Sequence, residues 1–507
     1  MRILTKNQSV DLDKNTIEKY NITQEELMMS AANSIVATVE NYSSSILELP
    51  RILILCGKGN NGGDAICAAG VLHKKNYGVH VHFLIEKNEI NGLASRYHEK
   101  FVNSLGSISY GIELIKYEGF DIIIDGIIGI GFRDGLSEKI VSWIRWINQS
   151  DLYVIAIDIS SGLNSDNGLA SPVAIKANKT VTFGFGKVGL YLADGKDHSG
   201  DIEVADIGVS YQEIENIDKV NYKLFDSKKA EKMLVSIPSN TYKQDRGKVL
   251  IIAGSTGMTG AAVLSTFGAL RTGAGVTITV CPSSLNDIYE KYILEGMTLS
   301  CEDNGRGYLS IHNYDEIIKK IGWADSIVIG PGLGLNNETM ELVIKLIQTV
   351  NKPIVLDADG LSCFNELRGP LEHLIITPHL GEFSKILNIK RHKIVNDFIN
   401  IVAGFMKNYK GTALIKHVPA CIVYDNQLSL NSTGNSGLAT AGSGDVLSGM
   451  IASFIAQKFN KYDACRLSSY LHGKAADNIV KKRGKRGLIA SDLPLEMAKI
   501  IGEYENI

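Results

Sequence analysis

The chain has 507 residues, 45% of them hydrophobic and 21% charged, with 52 basic against 55 acidic side chains. That length suits two domains, and that composition allows a large core beneath a soluble surface. A formal charge of -3 with no basic block excludes the clustered cationic face that nucleic acid requires, and turns attention to small-molecule partners.

From Met1 to Lys19 polar and apolar residues alternate with charges throughout, unlike a signal peptide. No apolar run approaches the ~20 residues of a membrane helix. The seven cysteines (Cys56, Cys67, Cys281, Cys301, Cys363, Cys421, Cys465) are scattered without a CxxC pair, against both a disulfide framework and a zinc ribbon. A cytoplasmic location away from membranes is expected.

The first half alternates short apolar runs with helical stretches. Strands are predicted at Arg51–Cys56, Val79–Ile85, Asp121–Asp125, Tyr153–Ile157 and Lys179–Phe185, with helices such as Asp64–Lys75 and Ser137–Asn148 between them. Repeated βαβ units predict a doubly wound α/β layer. Strand Arg51–Cys56 leads into Gly57-Lys-Gly-Asn-Asn-Gly-Gly-Asp64, a Gly-rich turn into a helix. It lacks both the G-x-G-x-x-G spacing and the Lys-Ser/Thr ending of the common phosphate loops. Its Asn60-Asn61 pair offers amide oxygens beside backbone N–H groups, while Asp64 could simply cap the helix.

Later strand ends supply Asp125, Asp158 and Ser161. Asn61, Asp125 and Ser161 offer one negative charge and neutral oxygens without His or Cys, a set suited to potassium rather than zinc. They could equally be separate turn and cap residues.

Charged residues crowd Gly208–Ser239, and the domain boundary is expected near residue 216, giving domains 1–216 and 225–507. Strands are then predicted at Lys248–Ala253, Val276–Cys281, Ser326–Ile329, Pro353–Leu356, Leu374–Ile376, Thr412–Ile415 and Cys421–Tyr424. The helices Asp445–Gln457 and Tyr462–Lys481 follow.

The segment Asn435-Ser-Gly-Leu-Ala-Thr-Ala-Gly-Ser-Gly-Asp445-Val-Leu-Ser-Gly449 joins a Gly-rich loop, one carboxylate and an apolar helix. Gly442, Ser443 and Gly444 can turn their amides toward an anion at the positive end of that helix. Asp445 repels a resting phosphate, but suits a base that accepts a proton from a hydroxyl attacking one. It could alternatively be a helix cap. Asp357 and Asp359 could form a metal pair, or fix the turn after their strand. His379, Lys416 and Gly330–Gly334 each also have a plain loop or surface reading.

Ala441-Gly-Ser-Gly-Asp445 resembles the catalytic loop of ribokinase-like small-molecule kinases. Lys248-Val-Leu-Ile-Ile-Ala-Gly-Ser255, Gly330-Pro-Gly-Leu-Gly334, Leu356-Asp-Ala-Asp-Gly-Leu361, Thr377-Pro-His-Leu-Gly-Glu382 and Asn435-Ser-Gly-Leu-Ala-Thr-Ala441 resemble, in order, the dehydratase domain of the NAD(P)H-hydrate repair enzymes. Glu26-Leu-Met-Met-Ser-Ala-Ala32, Asn60-Asn-Gly-Gly-Asp64 and Asp125-Gly-Ile-Ile-Gly-Ile-Gly131 resemble the NAD(P)H-hydrate epimerase domain.

The resemblance implies a Rossmann-like first domain and a ribokinase-like second one. Water added at carbon 6 of the reduced nicotinamide gives two epimers; the first domain would interconvert them. The second would phosphorylate one with ADP, accompanied by magnesium, and loss of phosphate would restore NADH or NADPH. It implies that Asn60, Asn61, Gly62, Gly63, Asp64, Gly129, Ile130, Gly131, Phe132, Arg133, Asp134, Gly135 and Asp158 bind the hydrate. Potassium would lie on Asn61, Asp125 and Ser161, with Asp125 catalytic as base or as cation ligand.

In the second domain Asp445 would activate the hydroxyl. Ala261, Gly332 and His379 would line the hydrate pocket, and Lys416, His417, Val418, Pro419, Ala420, Gly442, Ser443 and Gly444 would hold the nucleotide. A homo-oligomer is implied as well. The chain departs from the family pattern at Ser436, Lys243-Gln244, Ala65 and Gly126, all at loops or small-residue positions. Two rival readings are a non-catalytic nucleotide sensor and a kinase making a phosphorylated vitamin precursor.

Overall fold

The computed structural model describes the chain except residues 21, 45–48, 115–117, 133–134, 211–212, 214–220 and 506–507. The expected boundary near residue 216 therefore lies outside the described residues. The chain divides into two compact units, one spanning Arg2–Tyr222 and the other containing Lys223–Ile507.

The first unit is built on a seven-stranded sheet. A short strand, β1 (Ile3–Leu4), precedes its members β2 (Arg51–Cys56), β3 (Gly78–Phe83), β4 (Ser107–Tyr110), β5 (Ile122–Gly126), β6 (Tyr153–Ile157) and β7 (Lys179–Phe183). After them come β8 (Gly186–Lys187), which pairs with β1, and the last member, β9 (Asp201–Ala205). The order is β4-β3-β2-β5-β6-β7-β9, all parallel. Residues Ile52–Cys56 and Ile122–Gly126 are buried throughout, as inner strands covered on both faces must be. The strand order reverses between β2 and β5, so the loops after them flank the crevice where such sheets bind ligands.

Two members of this sheet do not show in the apolar pattern. β4 reads Ser-Ile-Ser-Tyr and β9 reads Asp-Ile-Glu-Val-Ala; both are half-exposed edges whose polar residues break the run. The helix expected from Asp64 begins instead at Asn60, with Gly59 as its cap, so Asp64 is not the cap.

In the second unit the strands are β10 (Asn221–Phe225), β11 (Lys248–Ile252), β12 (Val276–Pro282), β13 (Met297–Cys301), β14 (Ser326–Ile329) and β15 (Ile354–Leu356). They continue as β16 (Leu374–Ile376), β17 (Thr412–Ile415), β18 (Cys421–Tyr424) and β19 (Gln427–Asn431). The order is β10-β19-β18-β17-β16-β15-β14-β11-β12-β13. The run from β13 to β17 is parallel, and β18 and β19 turn back as an antiparallel hairpin. β10, β13 and β19 are the strands the apolar pattern omits; Gln-Leu-Ser-Leu-Asn, for example, is too polar to read as a buried run.

Helix Ser443–Ala456 is buried at every residue from Val446 onward, as a mostly apolar helix in a large domain should be. It crosses helix Thr259–Arg271 at backbone contact distance. A Cβ on Gly449 would stand 1.9 Å from Ser265 O, and one on Gly268 would stand 2.2 Å from Val446 O. Those two glycines set how deeply the helix sits, and thereby where its N-terminus meets the sheet edge. Gly449→Ala is expected to force the helices apart and cost about 1–3 kcal/mol, the usual range for overpacking a filled core. The midpoint of urea unfolding at unchanged slope measures it; an unshifted midpoint would contradict this packing.

Candidate functional sites

In the first unit the carboxyl ends of β2, β5 and β6 open onto a cavity of about 640 Å³. Asn60, Asn61 and Asp64 line it from one helix, Gly129, Ile130 and Gly131 from the loop after β5, and Asp158 from the end of β6. The helix Asn60–Lys74 enters tightly, because a Cβ on Gly62 would lie 2.1 Å from Gly57 O. Its first backbone bond runs from Gly63 N to Gly59 O at 3.2 Å, which leaves the amides of Asn61 and Gly62 ahead of the helical ladder. Gly62 and Gly63 sit buried beneath this turn, and Phe132 is buried nearby in sequence. Gly135 has φ 99°, while Arg133 and Asp134 lie outside the described residues.

Asp158 has φ 62°, a left-handed backbone that a residue with a Cβ adopts only where its surroundings enforce it. The bend delivers its carboxylate to Lys187. Lys187 Nζ donates to Asp158 Oδ1 at 2.5 Å, to Thr182 Oγ1 at 3.1 Å and to Phe183 O at 3.0 Å, so its three donors are all used. The lysine side chain is only 4% exposed. Asp13, on helix Lys6–Tyr20, lines the same cavity, close enough to Lys187 and Asp158 to feel both charges.

Asp125 and Ser161 come together behind this cavity wall and are not part of its lining. Ser161 donates to the carboxylate through N (2.8 Å) and Oγ (2.6 Å), and Ile127 N adds a third bond at 3.2 Å. Burial nevertheless pushes Asp125 up to about 6 against those bonds. Its partners are all neutral, so the charge has no counter-ion among the described residues. The Oδ1 of Asn61 lies 2.9 Å from where a Cβ on Gly129 would stand, and its Nδ2 is buried without a hydrogen-bond partner.

In the second unit the site forms where β14, β15, β16 and β17 end beneath helix Ser443–Ala456. Gly442 caps that helix with φ 85°, and Val446 N closes the first backbone bond onto Gly442 O at 3.2 Å. The amides of Gly444 and Asp445 thus precede the ladder and face outward at the positive helix end. Asp445 is in the first turn but is not the cap, and its carboxylate makes no hydrogen bond among the described residues. It is pushed up to about 6, by burial first and then by Asp357 and Asp359, with Lys416 opposing.

Lys416 Nζ reaches Asp357 Oδ1 at 2.6 Å; Asp357 is 1% exposed and also accepts from Ser448 Oγ. A Cβ on Gly444 would lie 2.8 Å from Lys416 Nζ, so glycine lets the lysine pass beneath the helix. Asp359 accepts from Gly334 N at 2.9 Å. Asp357 is held by Lys416 and Ser448 and Asp359 by the amide of Gly334, so both aspartates organise the site and its turn. No group of three or more His, Cys, Asp or Glu placed to hold a metal occurs among the described residues.

His379 caps helix Leu380–Leu387. Its Nδ1 accepts from Gly381 N (2.9 Å) and Glu382 N (3.2 Å), which places its proton on Nε2 when neutral. It forms a parallel bridge with Lys416, so the two stand side by side. Gly332 meets Ala261, whose Cβ is 2.9 Å from where a Cβ of Gly332 would be. His417 to Ala420 connect β17 to β18. The ring of His417 lies 4.7 Å from that of Phe398, tilted against it, and its pKa is lowered to about 4, by burial first and then by Arg391. His472 Nε2 lies 3.0 Å from Ser443 O and supports the loop from behind.

Lys187, Asp13, Ser448 and His472 are contributors that sequence reasoning missed. Lys187 left a signal: it is a lone charge in Phe183-Gly-Phe-Gly-Lys-Val-Gly-Leu190, and a lysine buried in such a run needs a partner. The other three leave none, because their partners come from distant elements.

A family model described as NAD(P)H-hydrate dehydratase matches residues 249–500, and one described as the YjeF-related protein N-terminus matches residues 24–189. The bifunctional NAD(P)H-hydrate repair enzyme of Moorella thermoacetica is 33% identical over 523 residues, covering 100% of this chain and 98% of its own. That of Dictyoglomus turgidum is 33% identical over 525 residues, covering 99% of each. A ribokinase-like superfamily protein of Enterococcus faecalis, 22% identical, covers 56% of this chain and 97% of its own with a TM-score of 0.50, a likeness of fold alone. The chain belongs to the bifunctional NAD(P)H-hydrate repair enzymes, which join an epimerase domain to a dehydratase domain.

Lys416→Met strands the buried Asp357 carboxylate. Unfolding in urea should show a loss of about 3–5 kcal/mol, the cost of breaking one side of a buried pair. The double variant Lys416→Met/Asp357→Leu should recover most of it, and a single variant as stable as the parent would contradict the pairing.

Proposed function

We propose that this repair enzyme acts on both hydrate epimers, the first domain interconverting the R and S forms and the second dehydrating the S form at the expense of ADP. The observation that carries the second activity is Asp445, unbonded in the first turn of a helix whose free amides and neighbouring Lys416 are arranged for an anion. The ring hydroxyl attacks the terminal phosphorus of ADP as Asp445 takes its proton. Negative charge spreading on the phosphoryl oxygens meets the amides of Gly444 and Asp445, the helix dipole and Lys416. AMP departs; phosphate then leaves carbon 6 as a proton is lost from carbon 5, and the C5–H electron pair forms the C5=C6 double bond of NADH or NADPH.

His417, Val418, Pro419 and Ala420 extend from Lys416 toward the adenosine, with Gly442 and Ser443 opposite. Ala261, Gly332 and His379 would line the hydrate pocket, with Glu382 Oε1 3.5 Å from His379 Nε2. Magnesium would travel on the phosphates of ADP, its usual seat when few protein carboxylates are offered.

In the first domain potassium suits Asn61, Asp125 and Ser161. The donors are oxygens, and the buried Asp125 charge has only neutral partners. A bound monovalent cation there would offset that charge and brace the loops around the cavity. The free thiols are all buried, as suits a cytoplasmic enzyme in a reducing compartment. A homo-oligomer rests on the family resemblance.

Incubating the chain with chemically hydrated NADH and ADP, and following the return of NADH absorbance, tests the proposal. Asp445→Asn should lower that rate by about 10²–10⁴-fold while epimer interconversion continues. In the parent the rate should fall as pH drops through about 6, where the base is lost by protonation. A rate within about threefold of the parent would leave Asp445 no catalytic part.

Potassium has a readout independent of activity. Replacing a large organic cation by potassium should raise the thermal midpoint of the parent but not that of Asp125→Ala, which should also lose epimerisation. An equal rise in both proteins would remove the ion from this site.

A further inference from the structure

Epimerisation at carbon 6 requires a proton to be given to the departing oxygen and another to be taken from the returning one. Asp125 is ill placed for either, since its oxygens are engaged by Ser161 and Ile127 behind the cavity wall. Among the described residues three other carboxylates line the cavity itself: Asp13, Asp64 and Asp158. Asp158 is held by Lys187.

Asp64 stands differently. Its carboxyl has no hydrogen-bond partner among the described residues and faces the cavity from helix Asn60–Lys74. Lys6 and Lys58 also line the cavity, but Lys58 is 62% exposed and turned to Glu89. Among the described lysines Lys187 is the one that acts on Asp64, and its donors are already used.

Resting on the epimerase reading, we infer that Asp64 is the general acid and Asp158 the general base of epimerisation, with Lys187 the positioning residue that holds Asp158. The environments agree: burial, followed by Asp158 and Asp13, holds Asp64 well above the usual carboxylate range. A carboxyl desolvated on the helix, facing one paired with an ammonium at the strand end, is a usual acid–base division of labour.

The step balances. Asp64 gives its proton to the hydroxyl as the C6–O bond breaks, and the lone pair of ring N1 forms an N1=C6 double bond, releasing water. Water then adds to the opposite face of C6, the double-bond pair returns to N1, and Asp158 takes the proton that the adding water loses. Return of that proton to Asp64 restores the start. The Asp158 side chain, held by Lys187, also stands by the transient positive charge.

Separated epimers incubated with the full chain, without ADP, test this by chromatography. Asp64→Asn and Asp158→Asn should each lower kcat by about 10²–10⁴-fold with KM within about threefold. Lys187→Met should lower kcat too, and Lys187→Arg should recover part of it. Near-ultraviolet circular dichroism checks folding. Should Asp64→Asn fail to fold, the smaller Asp64→Ser reads the same loss.

Either aspartate variant keeping kcat within tenfold of the parent, or raising KM alone, overturns the assignment while epimerisation by the parent stands. A parent that does not interconvert the epimers overturns the epimerase reading instead.

Discussion

Both sites depend on one constraint: an aspartate at the end of a parallel strand is buried and must be neutralised by a lysine from a neighbouring segment. Asp158 meets Lys187 in the first domain and Asp357 meets Lys416 in the second. Each carboxylate lost its water on folding, and each lysine restores part of that loss through a short charge-assisted bond. Beside each pair a helix begins at a Gly-rich turn and carries a second aspartate, Asp64 or Asp445, that has no hydrogen bond among the described residues. In both places that second carboxyl is raised by burial and by its acidic neighbours. Two domains of different topology therefore arrive at one electrostatic layout.

The layout follows from parallel sheets. All strands of a parallel set end on the same edge, so residues far apart in sequence converge there, and helix N-termini bring unpaired amides to the same edge. Apolar residues fill the strands, so the polar ones are pushed to the ends, where only a partner or a ligand can satisfy them. In the second domain the glycines at the helix crossing fix the depth of Ser443–Ala456, and thus the distance from its amides to Lys416. The packing between Gly449 and Ser265 is remote from the chemistry but belongs to the same mechanism.

Much of this was legible in the residues. Inner strands such as Arg51–Cys56 and Ser326–Ile329 are unbroken apolar runs, and the loop before Asp445 has a composition few other roles require. Edge strands were not legible, because half-exposed sequences such as Ser107–Tyr110 carry no apolar run. Pairings such as Lys416–Asp357 were not legible either. The two residues are separated by several elements, and nothing local in Leu356-Asp-Ala-Asp tells which aspartate will receive a lysine. Asp357 receives it and Asp359 turns to the amide of Gly334, a choice made by strand register and not by residue type.

One lysine beside two or three carboxylates also explains how each site can be poised. A lysine for every aspartate would leave all of them ionised and tied into fixed pairs, unable to exchange protons with a ligand. No lysine at all would leave them competing for protons at neutral pH. A single ammonium settles the contest by geometry, taking the aspartate at the strand end and leaving the aspartate on the helix to its desolvation. The helix carboxyl is then the group whose protonation responds when a ligand fills the space before it. In the second domain an arriving nucleotide phosphate would also compete for Lys416, loosening its hold on Asp357 just as negative charge enters the site. The pair is thus an internal substitute for the ligand, keeping the lysine ordered until an anion claims it.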